Sequence, residues 1–460
     1  MTEYKADFNS YLIFAVSLAL IGLCILLNVP LYFGFAGAVA FSAAMLVRQG
    51  HKLRTLNNMM LKGIKDCSTL FIIIVLIGAT VSIWLSSGIV PTLMYYGFEY
   101  IKHINYILAC FLVTAIISVL MGTAIGTVST IGIALIGIGK GFAIPEQLLL
   151  GAVVSGAFVA DRISPIAGLV NLMLKTTDLK YREYAKSMLN TIIPSLIIAA
   201  SAYYFIGKGY MSAIDTAKIA IFQGNISSAF LITPVLLLLP LVVMIMAVCG
   251  VKPIINMSVG VAGGSIISVF LQKKAVSEVF QYILSGYKSA TGIEELDKIL
   301  RGGGVQPMIE VLLIVAGAVA LSSLLEGTNI LNPVIANIMD RAKTKMSLIV
   351  RTAAFSSLLT IATCDQTAGI ILLGRLLKKR YEELGVNKLI LARTIADTGT
   401  TIAPLIPWNV NSILILAITG VSALQYAPYA VLCYTAPLIA VLSGCFRERG
   451  KMQKNIVFRL

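Results

Sequence analysis

The sequence predicts an all-α polytopic membrane protein with about 10–12 membrane segments, arranged as two inverted-repeat halves whose helices are interrupted. Three observations predict it. The 460 residues are 58% hydrophobic and 12% charged, far below the roughly 25% charged residues of a soluble domain. Apolar runs at 11–29, 69–85, 229–248 and 429–444 approach or reach the roughly 20 residues with which a helix crosses a bilayer. Polar interruptions break the apolar pattern at 121–130, 156–171, 360–369 and 392–409, two before and two after the polar midpoint.

Taken in order, residues 1–68 read as an N-terminal helix pair with a basic loop. The first apolar run follows the mixed "MTEYKADFNS", runs on to a second span and carries no small-residue cleavage site, so it is expected to be an anchor. The loop after the second span carries Arg48, Lys52, Arg54, Lys62 and Lys65. The positive-inside rule puts that loop in the cytoplasm together with the basic tail 447–460, and both termini with them. Residues 69–206 form the first repeat, 207–306 connecting helices and a polar linker, and 307–446 the second repeat. The stretch 272–304 is the longest polar one and reads as a linker with some helix in it. Gly78 and Gly317, Gly88 and Gly327, Ser118 and Ser357, and Pro165 and Pro404 each differ by 239 positions. Both halves follow the same order of long helix, two polar interruptions and a final helix.

Composition narrows the function. The net charge of +15 comes from Lys and Arg in short connections and the tail, without an extended basic domain, so no nucleic-acid partner is expected. Seven Cys are scattered without CxxC spacing, which indicates neither a disulfide framework nor a metal site. His51 and His103 are the only histidines, both in loops, so zinc hydrolysis and Ser–His catalysis have few participants. HExxH, GxSxG and P-loop patterns are absent, which disfavours an enzyme or an ATP-driven pump. No cofactor is expected. A channel would need a pore ringed by like charges or carbonyls; paired broken helices in two halves instead point to a secondary transporter.

The interruptions carry the chemistry. Gly122 and Gly126 flank a Thr-containing turn, Pro165 follows Asp161, and Pro404 and Pro407 follow Asp397; each proline removes a backbone donor. Freed carbonyls survive at membrane depth only where they are packed in protein or line a watery cavity. Carbonyls and the hydroxyls of Thr123, Thr127, Ser164 and Thr398 suit a small cation, and buried carboxylates exchange a proton for one. Asp365, followed by Gln366, has no basic neighbour in sequence and marks an ion or proton path. Bland alternatives stand beside these readings. Gly122 and Gly126 also make a GxxxG packing pattern, the prolines also fit ordinary kinks, and Asp161 beside Arg162, or Asp397 four residues after Arg393, also fits a structural ion pair. Glu326 and Trp84 read as interfacial residues. Trp408, between Pro407 and Asn409, does not.

The segments 122–139, 156–171 and 365–409, the last containing Asp-Gln, Asp-x-Gly and Pro-Leu-Ile-Pro-Trp-Asn, resemble the NhaC-type Na+/H+ antiporter family, which includes malate/lactate antiporters and amino-acid transporters. The resemblance extends from about residue 69 onward. It implies an ion-coupled secondary transporter with Asp161, Ser164, Asn171, Asp365, Gln366, Asp397, Trp408 and Asn409 at the motif positions. Asp161, Asp365 and Asp397 are expected to converge at the interface of the halves, where Na+ is a possible ligand, with Gln366 in the coupling group. Thr123, Thr127, Arg162, Ser164, Asn171, Thr398, Trp408 and Asn409 are the expected solute contacts. The sequence departs from the family pattern where Gly168, Leu169 and Val170 replace an acid and two hydroxyl residues, and where Ala124 and Ile125 replace a Ser and an aromatic. Fewer side-chain oxygens suit a small carboxylate or amino acid, moved with Na+ or H+, better than a bare cation; a plain Na+/H+ antiporter is the alternative. The expected partners are Na+ and/or H+, a small organic solute and the lipid bilayer, with a homodimer as the assembly to test.

Overall fold

The computed structural model describes residues 8–27, 29–100, 104–142, 144–211, 216–330, 335 and 342–443. The tail 447–460, His103 and Cys445 lie outside them. Seven described helices are long and apolar enough to cross a membrane, and ten spans result if each of three bent helix pairs counts as one. Large apolar side chains such as Ile197, Phe205, Leu241, Ile266 and Leu438 point outward, as lipid-facing surfaces do, while small and polar residues are drawn inward. The chain is an all-α, multi-pass membrane protein.

Helices α1 (Phe8–Leu26) and α2 (Leu31–Arg48) form the N-terminal hairpin, with Ser17 and Ser42 hydroxyls 3.2 Å apart between them. The amphipathic α3 (Leu53–Asp66) buries Leu56 and lies on α18 (Val305–Gly327), where Gly63 meets Ser323. Helix α4 (Ser68–Ser86) runs antiparallel to α18, since Gly78 of α4 meets Met308 and the preceding Gly63 meets Ser323. Trp84 is buried against α15 (Pro253–Phe270), beside Gly260 and Gly264, so it is a packing residue and not an interfacial one.

Then follow α5 (Ile89–Tyr100), α6 (Tyr106–Met121) and a helix that starts as α7 (Ala124–Thr127), widens into a π segment over Val128–Gly132 and ends as α8 (Ile133–Gly141). Next come α9 (Glu146–Ala157), the single turn α10 (Ala160–Ile163), a break, α11 (Gly168–Thr177) and the long α12 (Tyr181–Met211). The apolar run 229–248 is not one span. Helix α13 (Thr216–Ala229) and the stretch from Pro234 into α14 (Leu238–Val248) meet at 88°, because residues 230–233 leave helical geometry before Pro234 opens a short 3-10 turn. The polar stretch 272–304 holds α16 (Val276–Ser285), α17 (Glu294–Ile299) and a two-stranded hairpin, β1 (Tyr287–Lys288) with β2 (Arg301–Gly302). It packs onto α4: the Gly304 N–H donates to the Gly78 carbonyl at 2.7 Å, and a Cβ on Gly303 would stand 2.3 Å from the Ser82 nitrogen.

After α18 come α19 (Lys345–Thr363), a break at 364–366, α20 (Thr367–Leu376) and α21 (Lys378–Glu383). Helix α22 (Lys388–Ile395) runs into a π segment over Ala396–Thr400, a 3-10 turn at Ala403–Leu405 and α23 (Val410–Thr419). The single turn α24 (Ala423–Tyr426) and α25 (Val431–Ser443) close the described chain.

Candidate functional site: two helix crossings joined by a buried ion pair

Each half brings its two interruptions together. In the first, α6 ends on Gly122 in the left-handed conformation (φ 69°), a geometry that carries no penalty only for glycine. Gly122 therefore stops one helix, and the GxxxG reading, which needs both glycines on one continuous helix face, does not hold. Thr123 caps α7, its hydroxyl accepting from the Gly126 N–H at 3.3 Å, and the Thr127 hydroxyl donates to the Thr123 carbonyl at 2.8 Å. The second interruption reaches back to the first: the Ser164 hydroxyl donates to the Val119 carbonyl at 2.6 Å, and the Asp161 carboxylate accepts the Ala124 N–H. The Asp161 carboxyl thus meets a free amide at the start of α7. Asn171 is exposed, and its amide donates to the Ala167 carbonyl at 3.0 Å across the start of α11. Gly168 faces open space, Leu169 is half-buried, and Val170 belongs to the core.

The second crossing is built from amides and an indole. Helix α19 ends on Cys364, also left-handed (φ 61°), and the Val410 N–H donates to the Cys364 carbonyl at 3.0 Å. The Trp408 indole N–H donates to the Ile361 carbonyl at 2.7 Å. Asn409 caps α23, its Oδ1 accepting from the backbone and side-chain nitrogens of Asn411 at 3.0 and 2.9 Å, while the Asn411 amide also donates to Gln366 Oε1 at 3.0 Å. Gln366 Nε2 and Asn409 Nδ2 are buried with no partner among the described residues. The Thr398 hydroxyl donates to the Thr394 carbonyl at 2.6 Å. Asp365 is half-buried and accepts the Thr367 N–H at 3.1 Å. Its charge reaches Glu326, which accepts from the Ser322 hydroxyl at 2.9 Å, and Cys67. Burial together with Asp365, Asp66 and Glu326 pushes the Cys67 thiol above its usual range.

One contact joins the crossings. Arg162 Nε donates to Asp397 Oδ1 at 3.0 Å, and Arg162 Nη2 donates to the same oxygen. Both side chains are fully buried. The Tyr184 hydroxyl donates to the Arg162 carbonyl at 2.9 Å and holds the turn. Arg162 Nη1 and Asp397 Oδ2 make no hydrogen bond among the described residues that meets strict geometry, and the Thr191 hydroxyl and the Arg393 guanidinium also stand near the Asp397 carboxylate. Neither ion pair suggested by sequence spacing forms here: Arg162 turns away from Asp161 and crosses 235 positions to Asp397. The Arg393 side chain donates instead to the Ser443 hydroxyl at 3.2 Å.

The three acids do not share one cage, because no group of three His, Cys, Asp or Glu able to hold a metal ion occurs among the described residues. Asp397 pairs with Arg162, the Asp161 carboxylate lies on the Ala124 amide, and Asp365 belongs to the Glu326 end of α18. Arg162 is also not an open donor in a cavity, since two of its nitrogens face Asp397. Sequence reasoning missed Tyr184 and Asn411. Asn411 had a signal in its spacing, two residues after Asn409 and opposite a polar break.

Broken helices that cross in pairs, with a buried ion pair joining the two crossings, are the features by which secondary transporters bind their cargo. A model of the Na+/H+ antiporter family matches residues 166–446, and the chain belongs to that family. It is similar to the Na(+)/H(+) antiporter NhaC of Bacillus subtilis, 29% identical over 94% of this chain and 98% of the relative. It is likewise similar to the malate-2H(+)/Na(+)-lactate antiporter of the same organism, 29% identical over 95% of this chain and 94% of the relative. The arginine/ornithine antiporter ArcD of Halobacterium salinarum is 28% identical over 85% of this chain and 80% of the relative. The protein is an ion-coupled secondary transporter.

Proposed function

We propose that this transporter carries a small carboxylate or amino acid together with Na+ or H+, and that the Arg162–Asp397 pair is the coupling element. The observation that carries the reading is the pair itself, an arginine from one crossing and an aspartate from the other, both fully buried. Removing the partner of a buried ion leaves an uncompensated charge and costs about 3–5 kcal/mol. A lone cation at Asp397 would leave Arg162 in that state, as would a lone carboxylate at Arg162 leave Asp397. A cation and a carboxylate arriving together replace both partners at once, so they load as a neutral pair. The cycle exchanges one such load for another. The name of the malate-2H(+)/Na(+)-lactate relative, which joins each carboxylate to its cation, supports this reading.

Asp161, Asp365 and Gln366 then serve cation entry and exit, with Ser164, Thr123, Thr127 and Thr398 holding the breaks, and Asn171, Trp408 and Asn409 on the solute path. Residues 69–206 and 307–446 are the two moving halves, 207–306 connects them, and the basic loop before α4 faces the cytoplasm. No catalytic step is assigned to the chain. A plain Na+/H+ exchange is the second reading, favoured by Asp161: it is half-buried, adjoins Arg162 in sequence and accepts a backbone amide on its carboxylate, so it suits alternate binding of Na+ and a proton.

Counterflow in proteoliposomes tests the proposal. With a Na+ gradient, labelled malate, lactate, arginine and ornithine are offered to the wild type and to Asp397→Asn. Na+-driven solute uptake in the wild type, abolished in Asp397→Asn, is expected. Proton release driven by Na+ with no solute carried would leave the plain antiporter instead.

A further inference from the structure

At the end of α4 away from the basic loop, an open groove of about 590 Å³ lies between α5, the end of α15 and the elbow of α13 and α14, lined among others by Tyr95, Tyr96, Ser227, Ser228, Leu231 and Lys273. The helices around it fix its depth in the bilayer. Helix α14 runs antiparallel beside the span α15, with Leu239 against Gly263 and Val243 against Gly260. Its exposed Val235, Leu238, Val242 and Ile245 fall on one face, a lipid-facing strip. Helix α13 meets this stretch at 88° and so runs along the membrane plane, which puts the elbow at the level of the lipid headgroups. Lys273 stands three residues beyond the end of α15, at the same level.

The floor of the groove is held from within the protein. Gln272 Oε1 accepts the Leu231 N–H at 3.0 Å, and its Nε2 donates to the Leu231 and Ser87 carbonyls, both at 3.1 Å. The Gln223 amide of α13 donates to the Tyr95 carbonyl at 3.0 Å and ties α13 to α5. The charge in the groove has one sign. No Asp or Glu lines it among the described residues, and Lys273 makes no ion pair among them. The Lys273 backbone is left-handed (φ 56°), a geometry that favours glycine or asparagine, so the conformation itself gives no reason for a lysine. Tyr95 and Tyr96 are half-buried and meet edge to face, ring centroids 5.5 Å apart; tyrosine is a residue of the headgroup level.

We propose that this groove is a binding site for one anionic phospholipid, whose phosphate sits at Lys273 and whose acyl chains run down the strip from Leu231 along α14. Lysine binds phosphate as a point charge, and basic pockets between membrane helices take anionic headgroups. The exposed apolar strip that begins at Leu231 selects a lipid over a soluble phosphate. The site is independent of which solute the transporter carries. Through Gln272 the bound lipid lies against the joint of the elbow with the end of α4, so it steadies the connecting segment.

The test is thermal stabilisation of the purified, delipidated full-length protein titrated with phosphatidylglycerol, with phosphatidylcholine of the same chains and with soluble glycerol phosphate. Phosphatidylglycerol should stabilise the wild type at lower concentration than phosphatidylcholine, and glycerol phosphate should not stabilise it over the same range. Lys273→Gly and Lys273→Asn suit the left-handed backbone, so both should melt near the wild-type temperature without lipid. Each should need about fivefold more phosphatidylglycerol, the effect of one basic group at an anionic headgroup. Lys273→Arg should titrate like the wild type. Lys252→Gln, which removes a charge at the opposite end of α15, should do so too. Equal response to the two lipids, wild-type titration in both Lys273→Gly and Lys273→Asn, or an equal shift in Lys252→Gln overturns the proposal. Stabilisation by glycerol phosphate alone, as strong as by the lipid, would make the groove a soluble-phosphate site and overturn it as well.

Discussion

The two helix crossings have one architecture and two chemistries. In the first, a carboxylate and a hydroxyl stitch the breaks, through Asp161 to the Ala124 amide and Ser164 to the Val119 carbonyl. In the second, side-chain amides and an indole do so, through Asn409, Asn411, Gln366 and Trp408. The π segments differ too: one follows the first break in the first half, at 128–132, whereas the other precedes the second break in the second half, at 396–400. The difference teaches where each half carries charge. The first crossing offers an arginine, the second an aspartate, and their contact is possible only because each half breaks its helix beside the other.

That contact sets the largest expected effect. Arg162→Ala or Asp397→Ala alone leaves a buried ion without its partner and should destabilise the protein by about 3–5 kcal/mol. The loss is read as a lower melting temperature and a smaller folded fraction in detergent. A melting temperature unchanged in either variant would mean that the other ion finds another partner.

The helix ends sharpen the comparison. Gly122 and Cys364 hold equivalent left-handed positions at the ends of α6 and α19. A side chain there costs roughly 1–2 kcal/mol, and at Gly122 a Cβ would also stand 2.4 Å from Ile166 Cγ1. Gly122→Ala should therefore destabilise by more than that. Cys364→Gly relieves the same backbone strain while giving up a buried side chain, and should shift the melting temperature by far less. Equal losses in both variants would show that the two ends are not alike.

A smaller effect reports on Asp365. Its charge helps to hold the Cys67 thiol above the usual range, and the thiolate is the reactive form. In a variant retaining Cys67 as the sole cysteine, Asp365→Asn lowers the thiol pKa, so more thiolate is present at a given pH and maleimide labelling at pH 8 accelerates. An unchanged rate would place the Asp365 charge out of reach.

The smallest effect belongs to the other ion pair between the halves. Lys378 pairs with Asp178 at the surface and holds that carboxyl below its usual range. Exposed pairs are screened by solvent and contribute little, so Lys378→Ala should leave melting and transport near wild type.

Much of this was legible in the sequence, for physical reasons. Glycine, proline and aspartate stand out in apolar runs, so the breaks at 122, 165, 365 and 404 could be read directly. The long-range pairing could not. Arg393 lies four residues before Asp397, which on a helix places both on one face, yet the Asp397 carboxylate is taken by Arg162 and the Arg393 side chain reaches Ser443. Arg162 and Asp397 are 235 positions apart, and no local pattern connects them. Trp84 misled for the opposite reason: its neighbours are apolar, and only the small residues Gly260 and Gly264 of a distant helix make room to bury it.

The central claim is that the Arg162–Asp397 pair couples ion to solute and does more than hold the halves together. The most direct measurement is on Arg162→Met/Asp397→Leu, which replaces both ions by apolar groups of similar size. Such replacement of a buried pair is often neutral or stabilising, so the double variant should melt at or above the wild-type temperature and yet show no Na+-driven exchange in proteoliposomes. A double variant that folds and still exchanges at the wild-type rate would contradict the account, leaving the pair a structural contact only.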